Sequence, residues 1–535
     1  MICRADLRCH GLTVAALMLG AAAAAVPPAD PLAEARAAIE RGDGIAAEVA
    51  AKRALHAGVP RGDVAALIGE AELLQGDLGD ARGWLAAAEF SPETQARGFH
   101  ALGRLEMADG DFAAAAQAFD RALASGPASA TLWVDIGRLR YRAGQHHLAL
   151  EAAARAVAIG PDEPRALEFQ AQLVRDSNGV VAALPWFERA LDKVPQDLGL
   201  LGEYAATLGD AGRHQDMLRV ARRMVELDPR HPRAYYLQAV LAARAGLDDL
   251  ARRLLVRTNG AYDELPAGQL LAGVIELRSG SAALAVERFD ELVRRQPENA
   301  AGQVLLGRAL LAHGEANEVV ARLGPAAGRP EASPYLLTLV GRAYEQMERR
   351  EDAGRYLDRA ALAASSAIGV PAAGTGTRGG DAAGDVALLR HLLAEGRAPE
   401  AVALARRLGE RYPDSIDVEI LSGDVALLAG DPAGALADYE RAAEVRLDFV
   451  LVQRIAIAQQ RLGREAAAVD RVAGYLAANP RSAQASLLLA AMLAGRGDER
   501  RAKLLVAHAR GLDGHAAQRR EGRVAATLER LAAAR

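Results

Sequence analysis

The sequence predicts an all-α fold in which pairs of helices repeat along the chain as a solenoid. The 535 residues align with themselves at an offset of 34, so that Gly103 meets Gly137 and Pro127 meets Pro161. A fixed period of this length is typical of stacked helical hairpins. Aromatic residues make up only 4% of the chain while alanine is abundant. This composition favours close helix packing over a large sheet core.

Residues 1–25 have the layout of a secretory signal peptide. Arg4 and Arg8 precede an apolar run from Gly11 to Val26, and the alanines at 21–25 offer several A-x-A cleavage sites. The run is short for a membrane span, which needs roughly 20 apolar residues. We therefore predict cleavage after Ala25 and a mature chain that is periplasmic or secreted. An uncleaved leader would instead leave an anchored or cytoplasmic protein.

Cysteine content and net charge narrow the classes of function. Both cysteines, Cys3 and Cys9, lie before the apolar run, whereas a lipid-acceptor cysteine would follow it. The predicted mature chain thus has no disulfide, thiolate nucleophile or cysteine zinc site. A formal net charge of −5 gives no general attraction to nucleic acid or anionic membrane. We expect no nucleic-acid partner and membrane association only through other partners.

The repeats divide the chain into two predicted arrays. Ten units of 34 residues cover 28–367, and four more cover 382–516. Residues 368–381 form a Gly-rich linker that we interpret as a flexible loop or a hinge, because such a composition does not support a helix. Residues 517–535 have a helical pattern with a polar side, which suits a capping helix at the open end of a solenoid.

Four positions of the repeat carry its structural signal. Position 8 is small in thirteen of fourteen units, and position 20 is alanine in twelve, which allows two helices to approach closely. Position 15 is glycine in twelve units and predicts a left-handed residue after the first helix, a place that Asn178 takes in the fifth unit. Position 32 is often proline, which ends the second helix. Trp84, Trp133 and Trp186 are predicted to be core residues.

With large apolar residues at positions 4, 7 and 24 as well, the chain resembles the tetratricopeptide repeat family over nearly all of its predicted mature length. The resemblance implies a right-handed superhelix of about fourteen helix-turn-helix units. It also implies that the first helices line a concave groove that holds a partner protein or peptide. Bacterial exopolysaccharide and secretion machineries contain similar repeat portions, which is an analogy of fold.

The sequence carries none of the common motifs for catalysis or metal binding. The sequence contains no phosphate-binding Gly-Lys loop, no His-Glu-x-x-His and no Gly-x-Ser-x-Gly. We therefore predict a protein that is not an enzyme and that has no cofactor and no metal. The adjacent pair His146-His147 is predicted to be exposed, because neighbouring positions on a helix do not share a face.

The predicted groove is where sequence suggests a binding site. By resemblance, positions 2, 5, 9 and 12 or 13 of each first helix face the concave side, and position 9 is arginine in six units. Guanidinium groups bind carboxylates in a bidentate manner, and tyrosine adds stacking surface. The alternative is that these arginines pair with acidic residues of neighbouring helices. The candidate partner-binding residues are Arg104, Arg138, Tyr141, Arg142, Arg175, Tyr236, Arg308, Arg342 and Arg390.

These observations predict a non-enzymatic scaffold of the bacterial cell envelope that holds a protein or acidic peptide in its groove. One alternative function is the binding of an anionic polysaccharide during export. Another is a cytoplasmic adaptor, if the leader is not cleaved.

Overall fold

The structure, a computed structural model, describes residues 32–512 except 88, 298, 330–331, 366–384, 386–387, 390 and 394. The predicted signal peptide, linker and capping helix lie outside these residues. Every regular element in the described part is helical, as the sequence predicts. None of the helices described is long and apolar enough to cross a membrane.

The chain divides into two compact units, which meet in sequence between Pro127 and Ala128. The first unit contains three helical hairpins. Its helices are α1 (Ala33–Glu40), α2 (Gly44–His56), α3 (Arg61–Gln75), α4 (Leu78–Leu85), α5 (Gln95–Asp109) and α6 (Phe112–Ser125).

The second unit contains the remaining hairpins. We call the part of the predicted ten-unit array that lies in this unit the first array, and the hairpins after the predicted linker the second array. The first array consists of α7 (Ala130–Arg142), α8 (His146–Ile159), α9 (Pro164–Asn178), α10 (Val180–Lys193), α11 (Leu198–Asp210), α12 (His214–Leu227), α13 (Pro232–Arg244), α14 (Asp248–Val256), α15 (Pro266–Arg278), α16 (Ala282–Arg295), α17 (Ala300–His313), α18 (Ala316–Ala327), α19 (Pro334–Gln346) and α20 (Arg350–Ser365). The second array includes α21 (Ala398–Arg411), α22 (Ile416–Leu428), α23 (Pro432–Val445), α24 (Phe449–Arg461), α25 (Glu465–Ala478), α26 (Ala483–Gly495) and α27 (Glu499–Leu512).

Small residues at position 8 leave room for large ones at position 24 within the same hairpin. A Cβ atom on Gly103 would lie 2.3 Å from the ring of Phe119, and one on Gly423 would lie 2.5 Å from the ring of Tyr439. Alanine at position 20 is buried throughout the described hairpins, as at Ala115 and Ala435. The prediction of close helix crossing is confirmed. The aromatic ring occupies the space that a side chain at the glycine position would take.

The turn after each first helix follows the prediction with one exception. The glycines at position 15 have positive φ, and Glu348 takes the same conformation in the tenth unit. The prediction for Asn178 is wrong, because α9 continues through Asn178 and Gly179 takes the positive φ of 90°. The reason lies in the contacts of this turn with the second array, described below.

The three tryptophans pack in the core, as predicted. Trp133 is buried, while Trp84 and Trp186 are partly buried against neighbouring apolar clusters. A guanidinium group covers each ring, with that of Arg155 lying 4.7 Å from the Trp133 centroid. Arginine therefore also shields the outer face of core aromatic rings in this protein.

The two arrays of the second unit lie side by side. Helix α23 contacts α8 and α9, and α25 contacts α10. Tyr141 and Leu150 of the first array pack onto the cluster that contains Ile416, Leu451 and Ile455 of the second. We call this contact region the junction.

Candidate interaction surfaces

Arginine and carboxylate side chains alternate on the first helices α7, α9, α11 and α13. They belong to four successive hairpins, whose repeat places equivalent residues side by side. We call this set the arginine–carboxylate network. Its members are Asp135, Arg138, Arg165, Glu168, Arg175, Glu203 and Arg233.

Asp135 of α7 is the carboxylate at one end of the network. Arg165 of α9 donates a hydrogen bond from Nη2 to Oδ1 of Asp135 at 3.0 Å. Arg138 lies between two acids, with nitrogen–oxygen distances of 3.9 Å to both Asp135 and Glu168. The Asp135 side chain is only 6% exposed, so its charge is shielded from water and needs these cations.

Glu203 of α11 joins α9 to α13. Its Oε2 accepts a hydrogen bond from Nη1 of Arg175 at 3.1 Å, and its Oε1 accepts one from Nη2 of Arg233 at 2.7 Å. Arg175 also donates to the hydroxyl of Thr207 at 3.2 Å. One carboxylate thus ties together three consecutive first helices.

Charge and burial perturb the pKa values of this network. Burial is the main cause that lowers the pKa of Arg138, and the positive charges of Arg165 and Arg142 lower it further. Burial raises the pKa of Glu168 above its usual value. Burial also acts on Glu203, but hydrogen bonds from Arg233 and Arg175 outweigh it and lower the pKa. A further negative charge would therefore stabilise the charged form of Arg138.

The remaining predicted residues lie in varied surroundings. In the first unit, Arg104 lies 3.6 Å from Glu70, which also accepts a hydrogen bond from Arg97. Arg342 pairs with Glu345 of its own helix at 2.6 Å. Arg142 and Arg308 are exposed, and Arg390 lies outside the described residues.

Tyr236 belongs to an aromatic pair beside the network. Its ring stacks on that of Tyr262, with centroids 4.1 Å apart and planes 5° from parallel, and its hydroxyl donates to the Ala267 carbonyl at 3.3 Å. Ion pairs such as those of Arg138 and Arg175 are the alternative that the sequence left open. Partner binding by the predicted residues stays a prediction.

Tyr141 lies at the junction. Its hydroxyl donates to Oδ2 of Asp176 at 3.1 Å, and its ring meets that of His146 edge-on at 5.0 Å. Burial, followed by the charge of Asp176, raises the pKa of Tyr141 to about 12. The tyrosine thus remains neutral and contributes an apolar surface to the contact with the second array.

The junction joins helix ends of one array to the backbone and side chains of the other. The amide of His146, at the start of α8, donates to the Asp414 carbonyl at 2.9 Å. At the end of α9, the Asp176 carbonyl accepts from the Leu447 amide at 2.8 Å. The first amides and last carbonyls of a helix lack partners within that helix. The second array supplies these missing partners.

Two further helix starts are capped across the junction. The Val180 amide of α10 donates to Oδ1 of Asn479 at 3.4 Å, and the Ile416 amide of α22 donates to Nδ1 of His146 at 3.4 Å. Arg481 contacts His214 across the same edge, with Nη1 lying 2.6 Å from Nε2. His146 and Ile416 are 270 residues apart, and His214 and Arg481 are 267 apart. The two arrays therefore lie side by side with their repeats in phase.

Gly179 is required where the backbones of the two arrays come closest. Its φ of 90° and ψ of 169° lie in a region open almost only to glycine. A Cβ atom there would lie 2.8 Å from both the Ala478 Cβ and the Asn479 Nδ2 atoms. This close approach explains why the turn after α9 departs from the predicted pattern.

The prediction of an exposed histidine pair is wrong for His146. It is only 7% exposed, and Nε2 of its half-buried neighbour His147 lies 3.3 Å from Oε2 of Glu419. Neighbouring positions of a single helix do point in different directions, but here the second array packs against the start of α8 and buries His146. Burial lowers the pKa of His146. Burial and then the charges of Arg481 and Arg244 lower the pKa of His214 to about 4.

A fully buried ion pair lies inside the second array. Arg454 of α24 donates from Nε and Nη2 to the two carboxylate oxygens of Asp424 at 2.7 and 2.9 Å. Tyr439 donates to the same Asp424 oxygen as Nε, at 2.7 Å. The arginine and aspartate side chains are 3% and 2% exposed, so this site holds the fold together and is closed to partners.

The carboxylates that hold these arginines are absent from the predicted site. A spacing in the sequence could have revealed Asp135 and Glu203, because each stands 30 residues before another arginine, which is one repeat minus about one helical turn. The buried acid Asp424 has the same spacing. The pairs are Asp135 with Arg165, Glu203 with Arg233, and Asp424 with Arg454. No comparable signal marks the junction, whose residues do not recur with the repeat.

One acidic group in the first unit has the geometry of a cation site. Oxygen atoms of Glu72, Asp77 and Asp80 lie within 4.8 Å of one another. The Nζ atom of Lys52 lies 3.5 Å from the buried Glu72 and already supplies a positive charge. We assign no metal site there.

The geometry defines a class of helical-hairpin repeat proteins with a 34-residue unit. The Tetratricopeptide repeat family profile matches residues 100–164, 134–197 and 270–318. The chain therefore contains tetratricopeptide repeats in these segments. Such repeats bind other proteins, and at this general level the chain is a protein-interaction scaffold.

Solved structures with helical repeats resemble this chain at low sequence identity. The APC/C hetero-tetramer Cut9-Hcn1 covers 92% of this chain and 95% of its own at 13% identity, with a TM-score of 0.34. The human IFIT1 dimer with PPP-AAAA covers 72% and 90% at 16% identity, with a TM-score of 0.40. A tetratricopeptide repeat protein from Parabacteroides merdae covers 50% and 92% at 15% identity, with a TM-score of 0.26. At these identities and TM-scores, the similarity does not indicate a shared function. Among curated proteins, none matches the sequence.

Proposed function

We propose that this protein is a non-enzymatic scaffold that holds an acidic peptide segment against the arginine–carboxylate network. The observation that carries the proposal is the imbalance of the network, in which four arginines face three carboxylates across four first helices. Guanidinium groups recognise carboxylates with two parallel hydrogen bonds, which suits the side chains of aspartate and glutamate in a partner.

Arg138 is the centre of this proposal. It holds its two acids at 3.9 Å, a distance beyond that of a good hydrogen bond, while burial and then positive neighbours lower its pKa. An incoming carboxylate would give Arg138 a closer partner and offset the repulsion from Arg165 and Arg142. Arg175 and Arg233 are already held by Glu203 at 3.1 and 2.7 Å, and would serve mainly to position this acid.

Binding of a labelled hexa-glutamate peptide tests the proposal, with anisotropy as the readout. We expect Arg138→Glu to weaken binding by about tenfold or more, since one favourable charge contact becomes a repulsive one. Arg138→Gln should weaken it less and controls for disturbed folding. The matched control is Arg223→Glu, which reverses an exposed arginine on the second helix α12. Equal affinities of the Arg138→Glu and Arg223→Glu proteins would disprove the proposed site.

Arg104→Glu provides a second measurement in the first unit, where Arg104 and Arg97 share Glu70. A weakened interaction would identify a second site for acidic peptides within that unit. Polygalacturonate serves as a second probe in every assay. Polymer binding that depends on Arg138, without binding of the peptide, would replace the protein partner by an acidic polysaccharide.

We also propose that the scaffold acts outside the cytoplasm of a bacterium, at the cell envelope. The support is the order of a basic start, an apolar run and small residues in the first 25 positions. Sequencing the amino terminus of the protein recovered from the periplasm tests this. A mature chain starting at Val26 is expected, and an intact Met1 in a cytoplasmic fraction would contradict it.

A further inference from the structure

We propose that a cleft at the junction binds the cationic side chain of a partner, an arginine or a lysine. The cleft has a volume of about 620 Å³. Ser177, Asn178 and Gly179 of the first array form part of its wall, and α23, α24 and α25 of the second array line the rest. The inference is independent of the arginine–carboxylate network, which lies on other residues and would take a ligand of opposite charge.

The charges that line the cleft favour a cation. Nη2 of Arg471 lies 2.5 and 2.6 Å from the two carboxylate oxygens of Glu440, so these two residues neutralise each other. Glu444 and Asp470 also line the cleft and are exposed. Among the residues that the structure describes, none forms an ion pair with Glu444 or Asp470, and Arg471 pairs with Glu440. The cleft therefore keeps two negative charges that no residue of the chain described here balances.

Gln459 provides a second, independent observation. This residue lines the cleft and is only 7% exposed, yet its Oε1 atom has no hydrogen-bond partner in the structure. A buried acceptor without a donor costs about 1–3 kcal/mol. Ammonium and guanidinium groups are donors only, so either could supply the missing donor to Gln459 in a cleft that also carries the two carboxylates.

The ring of Tyr475 adds an aromatic surface to the same cleft. Arginine lies over tyrosine elsewhere in this chain, with guanidinium-to-centroid distances of 4.7 Å for Arg257 on Tyr235 and 4.8 Å for Arg349 on Tyr344. A partner arginine could use Tyr475 in this way. Acidic, amide and aromatic groups together suit arginine better than a simple metal ion.

Closure of the junction is required for the complete cleft. Gly179 approaches Ala478 so closely that no side chain fits between them, and Asn479 caps the amide of Val180. A ligand that contacts both walls would therefore bind the closed junction more tightly than the open one. Since a ligand stabilises the state that it binds, the cation should also hold the two arrays together.

Fluorescence anisotropy with a labelled tri-arginine peptide, on the full-length protein at low ionic strength, tests the proposal. The double variant Glu444→Gln with Asp470→Asn keeps the shape of the cleft and removes both charges. We expect its affinity to fall by about tenfold or more, because charge-assisted hydrogen bonds are lost. Gln459→Leu should weaken binding by a smaller factor. A tri-citrulline peptide, which is neutral but of similar shape, should not bind.

Glu465→Gln is the matched control, because Glu465 is an exposed acid of α25 that does not line the cleft. We expect it to bind as the unaltered protein does. Circular dichroism spectra and unfolding midpoints that match those of the unaltered protein verify that each variant is folded. Three results would overturn the proposal: equal losses in the control and the double variant, binding of tri-citrulline, or saturation of the site by Ca²⁺ alone with exclusion of the peptide.

Discussion

The network of the first array and the ion pair of the second array have the same sequence spacing, but the first is partly exposed and the second is buried. In both, an arginine reaches back 30 residues to an acid of the preceding repeat. Arg233 is 31% exposed and shares Glu203 with Arg175, whereas Arg454 is 3% exposed and binds Asp424 through both of its oxygens. The spacing thus places the charges together, and burial decides whether a partner can reach them.

The physical reason is the surroundings of the acid. Gly423 makes room for the Tyr439 ring, whose hydroxyl completes the hydrogen bonding of Asp424. Burial raises the pKa of Tyr439, and the charge of Asp424 raises it further. Charges without access to water must be fully paired, whereas charges at a half-exposed surface can exchange partners.

Removing one member of the buried pair should have the largest effect. Arg454→Met leaves the Asp424 carboxylate buried without a cation, and we expect a loss of about 3–5 kcal/mol in the free energy of unfolding. Urea denaturation followed by circular dichroism measures it. The double variant Arg454→Met with Asp424→Leu should recover much of this loss, because no charge remains buried. A loss below about 1 kcal/mol in the single variant would show that the pair is not closed to water.

Opening the junction should have the next largest effect. Gly179→Ala introduces a Cβ atom at a backbone conformation open almost only to glycine and against Ala478, so we expect a loss of about 2–3 kcal/mol. Hydrogen exchange should become faster at residues 176–180 and 478–481. Gly409→Ala in α21 is the control, because its Cβ would meet nothing within 4 Å. Unchanged exchange in the Gly179→Ala protein would mean that the arrays do not rely on this contact.

Acidification should weaken the junction by about 2 kcal/mol at pH 5. The pKa of His214 is lowered from 6.5 to about 4, so the unfolded chain binds a proton that the folded chain resists. Its contribution to stability is complete above pH 6.5 and is lost as the pH falls from 6.5 towards 4. The pKa of His146 is lowered in the same direction. The His214→Gln variant should lose less stability over this range, and an identical pH profile would contradict the prediction.

The network should show the smallest effect on stability. Glu203→Gln removes the charge that binds Arg175 and Arg233, and we expect a loss of about 1 kcal/mol or less, because these groups are partly exposed. Glu345→Gln removes the acid of the exposed pair with Arg342, and its loss in the free energy of unfolding serves as the reference for an exposed ion pair. A loss as large as that of Arg454→Met would show that the network is structural and would remove the contrast between the two arrays.

The fold was predictable because its signals are local and repeated. Gly103, Ala115 and Gly110 have counterparts at the same positions of most other units. The prediction for each hairpin is therefore supported by the sequences of many others. The candidate site was predictable only in part. Arg138 and Arg175 were identified as groove residues, but the acids beside them and the position of Tyr141 at the junction were not.

The sequence by itself determined that the chain consists of helical hairpins, where these hairpins turn, and which residues are buried between their helices. These features depend on neighbours within one or two repeats, so a period of 34 residues records them. Only the tertiary structure decided that His146 is buried and that Gly179, not Asn178, takes the left-handed turn. Those outcomes depend on contacts between residues 267–299 apart, which no repeating pattern encodes. They follow from helix ends that lack hydrogen-bond partners within one array and find them in the other.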